Sequence, residues 1–330
     1  MSTDDQPAKR PREDGLEPEL SITRSPDYWF EDGSIVLQVE STQFRVAKTM
    51  LAMHSSVFKD MLSLPPTDES LVEGCPVVVL SGDSSTDWTH LLGAMYTKGG
   101  FTDPKDTPTL GQLSAILRLS KKYDIPELRR RCVACLKKEF PATIADYDAK
   151  NKKMKIFSFI KLSELNVQFL AKIIELAREV GLYSILPLAL YIINALNVPA
   201  GIHSPLFTDI DAADQLRILR GRTQLYALFP LRSPLKWMDS QHGSVPSQAC
   251  TQRRECQAVV AAINDAVLRK NDYLVCIFLE WPETRTEKLC ENCTVIAKEV
   301  HRSMREQCWN ELPSYFDLPP WEELLKMDLE

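Results

Sequence analysis

Cys290-Glu291-Asn292-Cys293 sets two thiols on either side of a two-residue turn. Upstream, Cys250 and Cys256 are separated by five residues. Four thiolates bind a zinc ion tetrahedrally, and a C-x-x-C turn presents two sulfurs to one ion. The upstream spacing is wider than the usual two to four intervening residues, so ordinary buried thiols fit it as well. His301, eight residues beyond Cys293, is an alternative fourth ligand. Zinc held by these residues would be structural, stapling a Ser/Pro-rich stretch to the last helices without taking part in a reaction. The other cysteines differ. Cys132 and Cys135 share one face of a predicted helix, with Val133 and Leu136 close by, which reads as core packing. Cys75, Cys276 and Cys308 are single and flanked by apolar residues, and read the same way.

No enzyme class is indicated. The chain has no phosphate-cradling glycine pattern, no Gly-x-Ser-x-Gly elbow and no His-Glu-x-x-His. Its five histidines, at positions 54, 90, 203, 242 and 301, stand in contexts that name no nucleophile. The net charge of -6 argues against a surface that coats nucleic acid, which would need a basic excess, so no nucleic-acid partner is expected. Lys9-Arg10-Pro11-Arg12 reads as a nuclear-import signal or as a solvated charge run. Nine scattered cysteines and a polar N-terminus without a signal-peptide pattern suggest an intracellular, reducing location, cytoplasm or nucleus. Leu182 to Leu196 is strongly apolar, but Pro187, Asn194, Asn197 and Pro199 interrupt the stretch. It is expected to be a helix buried on all sides, with no membrane association.

The elements that must position these residues follow from periodicity. Residues 1–25 lack apolar spacing and are expected to be a disordered tail. Ser34–Glu40 and Thr42–Ala47 read as a hairpin turning at Glu40-Ser41, and Pro76–Leu80 as a strand covered on both faces. Helical spacing follows over 48–55 and 56–64, then over 84–96, 109–123 and 126–140. Beyond Pro141, residues 167–180, 182–196, 211–229, 251–270 and 294–311 all favour helix, with a long Ser/Pro-rich loop at 230–249. The expected class is α+β: a small mixed sheet surrounded by helices over 26–141, then an all-helical region over 142–330.

Several segments carry a resemblance. Trp29–Leu37 with Asp32, then Phe44-Arg45-Val46, then Leu51–Phe58 with His54, Ser55 and Phe58, resemble the opening of BTB/POZ domains. Leu117–Leu128, with Tyr123, resembles that family's last helix pair. Leu71–Val78 and the terminal Leu312-Pro313 and Leu318–Glu322 segments look like BTB proteins common in mushroom-forming fungi. Ala47 stands where the family pattern usually has histidine. The resemblance implies a non-catalytic protein-interaction module that pairs with itself as a homodimer or with another protein. It also raises the adaptor role in cullin ubiquitin ligases, whose partner element would match Phe101-Thr102-Asp103, with Asp103 in place of the usual Glu. The alternative reading is a nuclear transcriptional regulator with a zinc-stabilised C-terminal region.

Overall fold

The computed structural model describes residues 21–64, 71–96, 108–152, 166–196, 210–232, 234–239, 244–270 and 277–328. A five-stranded mixed sheet leads the chain, ordered β1-β3-β2-β5-β4, with β1 Thr23–Trp29, β2 Ile35–Val39, β3 Thr42–Val46, β4 Leu71–Val72 and β5 Cys75–Val79. The predicted hairpin is antiparallel β2–β3, and β5 lies parallel to β2. β1 begins inside the segment expected to lack structure. Thr-Arg-Ser-Pro-Asp-Tyr-Trp has no alternating apolar pattern, and its proline is tolerated because β1 is an edge strand whose register against β3 breaks between Arg24 and Trp29. The β4–β5 turn uses Glu73 and Gly74, both at positive φ, as a tight two-residue hairpin turn requires.

Helices α1 Lys48–His54, α2 Ser56–Ser63, α3 Ser85–Met95, α4 Leu110–Lys122 and α5 Pro126–Glu139 surround the sheet. Ser84, the N-cap residue of α3, makes no side-chain cap bond. Instead the Glu40 carboxylate, carried on the β2–β3 turn, accepts from the Ser85 N–H at 3.0 Å and its hydroxyl at 2.8 Å. A hairpin turn thus satisfies a helix start distant in sequence. Thr109 and Gln112 cap α4 reciprocally.

The remainder is helical among the described residues: α6 Ile144–Lys152, α7 Val167–Val180, α8 Leu186–Ala195, α9 Ala212–Arg232, α10 Arg253–Lys270, α11 Glu283–Thr286, α12 Glu291–Tyr315 and α13 Trp321–Met327. Asn166 caps α7 at its start, and Gly181, at φ 79°, ends it in the left-handed conformation that glycine adopts without strain. A 3-10 turn, Tyr183–Ile185, then leads into α8, which is buried from Leu186 to Tyr191 and at Ile193 and Asn194. No helix among the described residues is long and apolar enough to cross a membrane.

One continuous apolar core runs from the sheet through α4 and α5 into α7, α8 and the C-terminal part of α12. Two partly buried ionic contacts join the later helices. Arg305 on α12 binds Asp148 of α6 and donates to the Phe278 carbonyl, and Asp214 on α9 pairs with Arg178 of α7. Gly221 in α9 is also needed for contact. A Cβ there would lie 2.1 Å from the ring of Phe316, which is fully buried. Gly221→Ala is therefore expected to destabilise by about 1–3 kcal/mol despite alanine's better helix propensity. Urea denaturation checks this, and a variant as stable as the parent would contradict the packing.

Candidate metal centre and exposed helices

The second, smaller apolar cluster contains Trp237, Met238, Val245, Val259, Val260, Ile263 and Leu289 together with three of the cysteines. Two helix starts converge on it. Cys290 is the N-cap of α12, and Cys293 lies in that helix's first turn. Cys256 lies in the first turn of α10. Cys250 sits in irregular backbone just ahead of α10. The Sγ atoms of Cys250, Cys256, Cys290 and Cys293 all lie within 4.8 Å of one another. Cys250 is half-buried and the other three are buried. The Sγ atoms of Cys250 and Cys290 are 3.8 Å apart. Zinc–sulfur bonds of about 2.3 Å in a tetrahedron place sulfurs about 3.8 Å apart, so the spacing fits the ion.

The surroundings favour one thiolate, at Cys290. The Cys290 N–H donates to Cys256 Sγ at 3.3 Å, and the Ser247 N–H donates to Cys293 Sγ at 3.4 Å. Backbone N–H groups of Cys293 and Thr251 draw the Cys290 thiol down to about 5, while burial pushes Cys256 up to about 12 and raises Cys250. Without a metal, one thiolate among thiols is the favoured charge state, since like charges at this distance oppose further ionisation.

His301 takes no place in the cluster. Eight residues after Cys293, it lies about 12 Å further along the helix axis. It is buried edge-on against Trp281, ring centroids 5.5 Å apart. Burial, and then the Arg305 cation, hold it neutral with a pKa lowered to about 4. Cys132 and Cys135 stay apart from the cluster on α5, with Cys132 in the main core and burial raising both thiols. Cys276 lies outside the described residues, as do Phe101 and Asp103, the Lys9–Arg12 run and part of the 230–249 loop.

In the N-terminal domain, Phe44, Ser55 and Phe58 are buried; Asp32 is exposed and His54 half-buried. Ser55 caps α2: its Oγ accepts from the Phe58 N–H at 3.0 Å and donates to the Tyr123 carbonyl at the end of α4. Tyr123 stacks on Phe58, and Trp88 meets both rings edge-on. Sequence reading missed the group that gathers these rings, Asp83. Its carboxylate accepts from Trp88 Nε1 at 2.9 Å, from the Tyr123 hydroxyl and from Lys122 Nζ at 2.5 Å. Burial and this carboxylate raise the Tyr123 phenol, which stays protonated and donating. Ser247 and Thr251 were missed as well, because backbone donors to sulfur carry no side-chain signature.

The α1–α2 pair also exposes apolar side chains. Met53 at the end of α1 is 70% exposed and Val57 at the start of α2 is 41% exposed, with Leu64 exposed just beyond α2. On the β5–β4 edge of the sheet, Leu71 and Val79 are exposed as well. Such exposed apolar side chains can bury against a partner.

Residues 32–139 match the model of the BTB/POZ domain family, from the turn before β2 to the end of α5. No curated protein matches the chain significantly.

Proposed function

We propose that this chain, which carries a BTB/POZ domain, is a non-catalytic interaction protein. It self-associates through the α1–α2 face of that domain and stabilises its C-terminal helices with one structural zinc ion. The family match is the observation that carries the reading, since BTB/POZ domains are interaction modules. The exposed Met53 and Val57 support the choice of face. Met53→Asp with Val57→Asp would place two charges on it. The unsubstituted protein is expected to sediment as a dimer at micromolar concentration, and the double variant as a folded monomer. A monomeric parent would sink self-association and leave association with a different protein. A cullin is the partner to test there, by co-purification with the full chain.

The zinc reading is carried by the four clustered sulfurs and the backbone donors around them. Cys250, Cys256, Cys290 and Cys293 would hold the ion and fix Ser247–Cys250 against α10 and α12. Metal analysis of protein purified under reducing conditions is expected to give close to one zinc per chain. The domain extent we assign, 26–141 followed by a helical region over 142–330, adds the second half of β1 to the family match at the front. The narrower kinship we propose, with BTB proteins of mushroom-forming fungi, rests on the resemblance of Leu71–Val78, Leu312-Pro313 and the Leu318–Glu322 corner alone. The corner is closed by Trp321, whose indole donates to the Trp309 carbonyl at 2.8 Å and stacks on its ring.

A further inference from the structure

We propose that Cys250 and Cys290 form a peroxide-oxidisable pair that becomes a disulfide and thereby releases the metal. The inference rests on the zinc reading above. Among the four sulfurs, access, spacing and backbone setting single out this pair. Cys256 and Cys293 are fully buried, whereas Cys250 is the half-buried member of the cluster. Cys250 and Cys290 stand 3.8 Å apart, and a disulfide needs about 2 Å. Closing that gap falls to Cys250, which sits in irregular backbone ahead of α10, its N–H donating to the Ser247 carbonyl. Cys256 and Cys293 sit inside helical turns, whereas Cys290 is an N-cap residue with extended backbone.

The step balances with a hydroperoxide as oxidant. The Cys250 thiolate attacks one peroxide oxygen, an S–O bond forms, the O–O bond breaks, and the departing hydroxide takes a proton to become water. The Cys290 thiolate then attacks the sulfenic sulfur, the S–S bond forms, and the second oxygen leaves as water with another proton. The two sulfurs lose two electrons, which reduce the peroxide. Only Cys256 and Cys293 remain as thiolate ligands, so the four-sulfur site is lost.

The test uses the full chain. Zinc is counted first, hydrogen peroxide is then added stoichiometrically, released zinc is read with a chromogenic chelator, and cross-links are mapped by non-reducing peptide mass spectrometry. Trypsin separates Cys250 on residues 237–253 from Cys256, and places Cys290 with Cys293 on 289–298, where fragmentation distinguishes them. The expected result is loss of the zinc with a Cys250–Cys290 cross-link, both reversed by a thiol reductant and added zinc. Cys135→Ser, outside the cluster, should respond like the parent. A Cys290–Cys293 or Cys256-containing cross-link, or full retention of zinc, overturns this inference and leaves the zinc reading standing. Protein that holds no zinc before oxidation overturns the zinc reading itself, and this inference with it.

Discussion

Stripping zinc from the purified protein with a chelator is expected to lower its melting temperature by about 8 °C, and Cys256→Ser to do the same without chelator. An ion present at a thousandfold excess over its Kd adds about 4 kcal/mol to the folded state, and for chains above 150 residues each kcal/mol moves the midpoint by roughly 2 °C. The effect should be local at first. The cysteines belong to a small apolar cluster separate from the main core, and small cores need a staple. Trp237 and Trp281, ring centroids 5.2 Å apart, pack in that cluster, so their fluorescence should change before the main transition. Cys135→Ser is the matched control, because that thiol lies on α5 away from the four sulfurs; it should shift the midpoint by less than about 2 °C. Zinc-free protein with an unchanged midpoint after chelation would remove the staple from the account.

What the sequence disclosed follows from range. β2, β3, β5 and the helices through α5 announce themselves by period, cap and turn residues within a few positions of each other. β1 does not, since an edge strand with Pro26 and a broken register is specified by pairing with β3 rather than by its own residues. The cysteine set was legible as types and spacing only. Five residues between Cys250 and Cys256 looked too wide, and the fold resolves this by setting Cys250 on irregular backbone and Cys256 in a helical turn, so that separate elements deliver the two sulfurs. His301 looked eligible by proximity in sequence, yet a continuous α12 carries it away along the axis. Contacts joining distant elements, such as Glu40 to Ser85 and Arg305 to Asp148, had no local signal at all.

Asp83 is the extreme case of such a hidden contact, and Asp83→Ala is expected to destabilise the N-terminal domain by about 3–4 kcal/mol. Its side chain is 3% exposed. Removing it leaves the Trp88 indole N–H and the Tyr123 hydroxyl without their acceptor inside a packed aromatic cluster, and each orphaned buried donor costs about 1–3 kcal/mol. Lys122 adds little, because its half-exposed ammonium is rehydrated when the carboxylate is lost. Tyr123→Phe in the same background deletes one orphaned donor, so the second substitution should cost about 1 kcal/mol or more less than it does alone, a coupling that urea titration of the four-protein cycle reads directly. Additive costs would show that the hydroxyl and the carboxylate act independently. Function is tied in through Ser55, whose hydroxyl caps α2 and binds the Tyr123 carbonyl. Loosening Tyr123 loosens the start of α2, where Val57 sits on the proposed association face. Asp83→Ala should therefore weaken self-association even at temperatures where the domain stays folded. Unchanged sedimentation at those temperatures would separate the aromatic cluster from the interface and assign it to stability alone.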